Sequence, residues 1–206
     1  MNLTVSEVKQ THGQRYVLVM DDGSAVKTTQ SVVADYSLYA GRELTEAQMR
    51  EITGASRLER AKLRAMNIIS ARPMSCRELY ERLVEKGESE GDAAACVEYL
   101  LGLHFLNDAD YAAMTVRHYA AKGYGARRIR DELYRRKVPK ELWDEAMEQL
   151  PEQDGELDRQ LEKRLRGVSA DDRAVIKRAS DALIRRGFGW EEVKTAVQRW
   201  ADGYEE

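Results

Sequence analysis

Nine cations fall between Arg117 and Lys140: Arg117, Lys122, Arg127, Arg128, Arg130, Arg135, Arg136, Lys137 and Lys140. Residues 111–140 hold only two acids, so the block carries a net +7. Guanidinium forks match phosphate and carboxylate oxygens in pairs, so such a block suits a phosphate backbone or an acidic protein face. The same pattern also describes a solvated helical face with its counter-charges nearby. Tyr111, Tyr119, Tyr124 and Tyr134 are interleaved with the cations. They could stack on bases; for Tyr111 and Tyr119 the favoured role is packing between helices.

Other residues offer little chemistry. No phosphate-binding G-x-x-x-x-G-K-[ST] loop and no H-E-x-x-H helix is present. His12, His104 and His118 are scattered, and His104 lies in the apolar stretch Leu101–Leu106, where a partly buried structural role is expected. Cys76 and Cys96 lack C-x-x-C spacing, so no zinc site is expected. Cys96 reads as a buried apolar residue, and two cysteines fit a reducing compartment. Gly123-Tyr124-Gly125 lacks the strand and third glycine of a dinucleotide fingerprint. It reads as a helix terminator, or as a joint whose open amides meet a phosphate or carboxylate. The acidic pairs Asp171-Asp172 and Glu191-Glu192 suit helix N-termini. No catalytic residue, metal ligand or cofactor site is assigned, and an enzyme is not expected.

These residues need a scaffold, and the chain is predominantly helical in character. It has 206 residues, 43% hydrophobic and 33% charged, with only three prolines. That balance fits a folded chain without membrane spans. The segment Met1–Glu7 has neither the basic nor the apolar part of a signal peptide, which predicts a cytoplasmic protein. The formal charge of −3 hides a mosaic, for residues 141–158 carry eight acids and no base.

The first 30 residues predict strands at Leu3–Val8, Tyr16–Met20 and Ala25–Thr28, with Asp21-Asp22-Gly23-Ser24 as a hairpin turn. A hairpin is marginal alone, so it must pack on something. It either covers one end of the helical part or serves as a docking element. Residues 31–41 predict a short helix ending at Gly41, and Thr45 caps a helix to about Ile52. Farther on, Ser75 with Glu78, and Ser169 with Asp172, have capping-box spacing. Asp108 is placed to cap the helix of Tyr111, and Pro139 to open the helix of Leu142.

An internal repeat of 50 residues organises the rest. Leu79, Ile129 and Ala179 correspond, as do Leu83, Leu133 and Leu183. Gly87, Lys137 and Gly187 mark a turn. Ala93, Trp143 and Val193 follow, then Cys96, Ala146 and Ala196, Val97, Met147 and Val197, and Leu100, Leu150 and Trp200. Offsets of three and four make each set the buried stripe of a helix. Gly87 and Gly187 supply left-handed residues after a helix, a rule Lys137 breaks. A further helix precedes each pair, through Ala61, Ala65 and Ile69, then Tyr111, Thr115 and Tyr119, then Leu157, Leu161 and Leu165. The predicted fold is mainly α: three tandem three-helix repeats in an elongated curved array, after a small β-hairpin segment. The boundaries are 1–55 for the hairpin segment and 56–106, 107–153 and 154–206 for the repeats.

The run from Leu103-His104-Phe105-Leu106-Asn107-Asp108-Ala109-Asp110-Tyr111-Ala112 through Arg117, then Lys122-Gly123-Tyr124-Gly125-Ala126-Arg127-Arg128-Ile129-Arg130-Asp131-Glu132-Leu133, resembles the RecX family of bacterial RecA regulators. Ser75, Arg77, Glu78, Leu79, Leu83, Lys86 and Gly87 fit the same pattern, as does Leu183-Ile184-Arg185-Arg186-Gly187-Phe188, so the resemblance covers about residues 57–200. It implies tandem three-helix repeats and a non-enzymatic regulator, usually an inhibitor, that binds the RecA–DNA filament; separately, a monomer is expected. That role belongs to homologous recombination, DNA repair and the SOS response. Single-stranded DNA within the filament is a second possible partner. The expected contact residues are Arg117, Lys122, Arg127, Arg128, Arg130, Arg135, Arg136 and Lys137. The alternative is a DNA-binding helical-repeat protein that affects RecA only indirectly.

Overall fold

The structure, a computed structural model, describes residues 2–203. The chain divides into two compact units at Leu106/Asn107.

The first unit opens with β1 (Leu3–His12), β2 (Arg15–Met20) and β3 (Ala25–Thr29). Helix α1 (Gln30–Asp35) and a short β4 (Glu43–Leu44) follow. The strands form one antiparallel sheet in the order β3-β2-β1-β4. The expected hairpin joins β2 to β3. Gly23 takes φ +82°, and the Ser24 amide donates to the Asp22 carboxylate at 2.8 Å. β4 was not expected; two residues are too few to show an alternating pattern. Gly41 does not end a helix. α1 stops at Asp35, capped at its start by Thr29, and Gly41 serves a separate turn with φ +93°.

Helix α2 (Glu46–Ala71) starts where expected, at a capping box of Thr45 and Gln48. It does not stop near Ile52 but continues for 26 residues, roughly 39 Å. Its first half buries Ile52 against Val5, Leu18, Met20 and Leu44 of the sheet and Val32 of α1. Its second half buries Ala61 and Ala65 against α3 (Cys76–Glu85) and α4 (Glu90–Gly102). One helix thus belongs to both the hairpin segment and the first repeat. Ser56 and Thr28 join helix to sheet through a buried 2.7 Å hydroxyl pair.

The second unit holds two more repeats. α5 (Asp108–Ala121), α6 (Ala126–Arg135) and α7 (Trp143–Glu148) enclose Tyr111, Val116, Ile129, Leu133 and Ala146, with a 3-10 turn at Lys140–Leu142 before α7. α8 (Asp154–Leu165), α9 (Arg173–Arg185) and α10 (Trp190–Asp202) enclose Leu157, Leu161, Leu183, Phe188 and Ala196. Leu83, Leu133 and Leu183 are fully buried at corresponding positions, and so are Leu79 and Ile129. Each such aliphatic side chain is worth about 1.5–3 kcal/mol of burial. Among the described residues no helix is long and apolar enough to cross a membrane.

The helix ends correct several expectations. Asn107, not Asp108, caps α5, because its amide oxygen reaches the amides of Ala109 and Asp110. Asp172 itself caps α9 by accepting from the Val175 amide, so Ser169 closes only a local turn. Ser75 caps α3 by accepting from the Glu78 amide, and the Glu78 carboxylate pairs with Arg72 and Arg82. Lys137 obeys the glycine rule rather than breaking it: its φ is +56°, in line with +86° at Gly87 and +97° at Gly187.

Candidate basic face and its supporting joint

Helix α6 carries the heart of the basic block. Its apolar residues Ile129 and Leu133 are fully buried, so the other side faces water. Arg127, Arg130 and Tyr134 follow at offsets of three and four, all exposed, with Tyr134 at 68%. This is the cationic and aromatic strip of the site. Lys122 and Arg117 are exposed on α5 and its end. Arg117 donates to Gln149 at 2.6 Å, and the Lys122 ammonium sits 5.7 Å from the Tyr119 ring.

Not every expected contact residue belongs to that strip. Arg136 turns inward and donates to Glu132 at 2.7 Å and to the Tyr111 hydroxyl at 2.6 Å. Its guanidinium also lies 5.7–5.8 Å from the Tyr119 and Tyr111 rings. Arg135 pairs with Glu132 from the other side at 3.3 Å. Glu132 is only 5% exposed, a carboxylate clamped by two arginines. Burial pushes its pKa up, but hydrogen bonds from Tyr119 and Arg136 and the two positive charges outweigh burial and hold it below 4.5. Tyr111 and Tyr119 accordingly pack inside the second repeat, not on bases. Lys137 is exposed in its left-handed turn.

What fixes the start of α6 is Gly123-Tyr124-Gly125. The open-amide reading of this segment does not survive. The Gly123 and Tyr124 amides donate to Ala120 and Tyr119, and the Gly125 amide donates to the Arg186 carbonyl at 3.0 Å. The Arg127 amide, an otherwise orphaned donor of the first helical turn, reaches the Gly187 carbonyl at 3.0 Å. These two bonds tie the second repeat to the turn of the third. Approach is this close because neither partner has a side chain. A Cβ on Gly125 would lie 2.4 Å from the Gly187 backbone, and one on Gly187 would lie 2.4 Å from Arg128. Arg186 completes the joint. Its guanidinium donates to the carbonyls of Gly123 (3.1 Å) and Lys122 (2.6 Å) and stacks 4.7 Å from the Tyr124 ring. Gln160 and Gln153 bond the carbonyls of Gly123 and Tyr124, each at 2.9 Å. Arg128, half-buried against Gly187, belongs to the joint as much as to the basic face.

Sequence reading missed Arg186. The signal was present in the repeat, since Lys86, Arg136 and Arg186 precede the turn residue at the 50-residue spacing. His104 also departs from expectation. It is exposed with φ +58°, and of the surrounding apolar stretch only Leu106 is buried. Cys96 is buried as expected, and burial raises its thiol to about 11.

These elements define a class first: a helical-repeat protein with a small N-terminal sheet and an exposed basic strip on its second repeat. Comparison with known proteins narrows it. Residues 61–100 match the family description "RecX, first three-helix domain", and residues 107–147 match "RecX, second three-helix domain". Regulatory protein RecX of Vibrio campbellii is 34% identical over 134 residues, spanning 65% of this chain and 86% of the relative. Regulatory protein RecX of Listeria monocytogenes serotype 4a is 25% identical over 203 residues, spanning 96% of this chain and 75% of the relative. A crystal structure of regulatory protein RecX superposes with a TM-score of 0.73 over 96% of this chain and 99% of that one, at 22% identity. RecX from Lactobacillus salivarius gives 0.63 over 72% and 98%, at 21% identity. The chain belongs to the RecX family of regulatory proteins.

Proposed function

We propose that the chain is a non-enzymatic modulator, in the inhibitory direction, of the RecA recombinase. It binds the RecA–DNA filament as a monomer in the cytoplasm and so regulates recombination and DNA repair. The repeats at 56–106, 107–153 and 154–206 form the binding body of the protein. The observation that carries this reading is the exposed strip of Arg127, Arg130 and Tyr134, held on a helix whose first turn is anchored to the next repeat. Anchoring matters because a rigid fork loses less entropy on docking than a mobile one. The strip faces acidic protein surface or phosphate, both of which a filament offers.

The local net charge of +7 supports a second reading, DNA binding with an indirect effect on RecA. One pair of variants separates them. Arg127→Glu with Arg130→Glu leaves Arg128, and therefore the joint, untouched. The expected outcome is about tenfold weaker cosedimentation with RecA filaments, with helical circular dichroism unchanged. Unchanged cosedimentation by the folded double variant refutes the placement. Equal loss of binding to bare DNA and to filaments favours the second reading.

A further inference from the structure

The third repeat carries a groove of about 340 Å³ between α9 and α10. Each wall is a stripe of one helix. On α9, Lys177, Asp181 and Ile184 fall at offsets of four and seven, and on α10, Trp190, Val193 and Val197 fall at offsets of three and seven. Val193 is buried, and Ile184 and Val197 are half-buried against the core of the repeat, so the floor is apolar. Trp190, the first residue of α10, is 59% exposed. An apolar trough beside an exposed tryptophan has the composition of an interaction site, because a large amphipathic ring gains more than most side chains when a partner covers it.

The polar lining sorts into satisfied and open groups. Ser180 donates to the Ile176 carbonyl at 2.9 Å and Gln198 to Asp202 at 2.7 Å, each within its own helix. Lys177, Asp181 and Lys194 are exposed and have no ion-pair partner among the described residues. The Lys194 ammonium lies 5.0 Å from the Trp190 ring. Arg77 and Glu81 hold the positions of Lys177 and Asp181 in the first repeat, and there the two charges pair at 2.8 Å. In the third repeat both side chains are shorter and the pair stays open. The groove therefore presents two ammoniums against one carboxylate, beside low-dielectric walls that strengthen their field. Lys177, Ser180 and Ile184 also correspond to Arg127, Arg130 and Tyr134 of the α6 strip. At the strip's own position the third repeat is thus more apolar and carries no guanidinium, which suits a protein segment rather than a phosphate backbone.

We propose that this groove docks a short acidic protein segment. One or two apolar side chains of the segment enter between Ile184, Val193 and Val197 and cover Trp190, and its flanking carboxylates meet Lys177 and Lys194. The volume admits side chains and not a folded body. Laying the apolar side of a segment into a groove between helices is a recurring mode of peptide recognition. This site lies on a different repeat from the α6 strip, and its test uses no RecA.

The experiment is fluorescence anisotropy of the intact chain with a labelled peptide, Glu-Glu-Phe-Leu-Glu-Glu, at physiological ionic strength, where loose surface attraction is screened. Saturable binding is expected. Affinity should fall about tenfold in Trp190→Ala, and about tenfold in Lys177→Glu with Lys194→Glu, with helical circular dichroism retained. All three positions are exposed, and if one variant fails to fold the other provides the same test. Lys163→Glu, at an exposed position of α8, should leave binding unchanged. The peptide with Ala-Ala in place of Phe-Leu should bind at least tenfold more weakly, as should the peptide with lysines in place of its glutamates. No binding of the labelled peptide at millimolar protein overturns the proposal. So does equal affinity in the folded groove variants, or equal affinity for the Ala-Ala peptide. Displacement of the peptide by oligo(dT) would assign the groove to nucleic acid and overturn it. Self-association of the chain that Trp190→Ala abolishes would assign the groove to a second copy and overturn it too.

Discussion

Replacing Gly187 by Ala tests the joint that holds α6. Two separate costs arise. First, Gly187 sits at φ +97°, where an L side chain costs roughly 1–2 kcal/mol. Second, the new methyl would lie 2.4 Å from the Arg128 Cβ and amide nitrogen, and backbone must shift to admit it. Overpacking of that kind costs about 1–3 kcal/mol. Together they amount to about 3 kcal/mol. Gly87 is the internal control, because it occupies the same repeat position at φ +86° and a methyl there meets nothing within 4 Å. Gly87→Ala therefore bears only the conformational cost, about 1 kcal/mol. For units of this size, 1 kcal/mol moves Tm by about 4–8 °C. The expected losses are thus roughly 15 °C for Gly187→Ala and about 5 °C for Gly87→Ala. Trp143, Trp190 and Trp200 all lie in the second unit, so tryptophan fluorescence follows Gly187→Ala, while far-ultraviolet circular dichroism follows Gly87→Ala. Equal shifts in the two variants would show that the approach of Gly187 to Arg128 is absent in solution.

Two other outcomes follow from buried groups. Glu132 has a folded pKa below its unfolded value, so its stabilisation is full above about pH 4.5 and fades as pH falls through the lower folded value. Glu132→Gln should cost about 2 kcal/mol at neutral pH and flatten the acid limb of the urea midpoint against pH; an unchanged acid limb would refute the clamp. Cys96 is fully buried with its thiol raised to about 11, whereas Cys76 is half-buried. A thiol-reactive disulfide reagent at neutral pH should modify at most Cys76, with Cys96 reacting only after denaturation; two equivalents reacting in the native protein would contradict the packing of α4.

The repeat was legible because its information is local and periodic. Leu83, Leu133 and Leu183 mark the same buried place in three helix pairs, and the structure buries all three. The hairpin was legible from Asp22-Gly23, since few residues accept φ +82°. The length of α2 was not. Its apolar stripe changes partner midway, from the sheet at Ile52 to the repeat at Ala61, and the sequence between reads as a break. The basic block was legible as charge but not as geometry. Arg127 and Arg136 look alike in sequence, yet one is exposed and the other is bound to Glu132 and Tyr111. Only the burial of Glu132, a tertiary fact, tells them apart. Gly123-Tyr124-Gly125 was half legible: the turn was evident, but its docking on Gly187 comes from residues more than 60 positions away.

The most direct measurement is RecA's single-stranded-DNA-dependent ATP hydrolysis, with the protein titrated onto preformed filaments and binding to bare DNA followed in parallel. A filament-directed regulator predicts that hydrolysis falls at concentrations where bare DNA is barely bound. Unchanged hydrolysis, together with salt-sensitive binding to DNA alone, would contradict it.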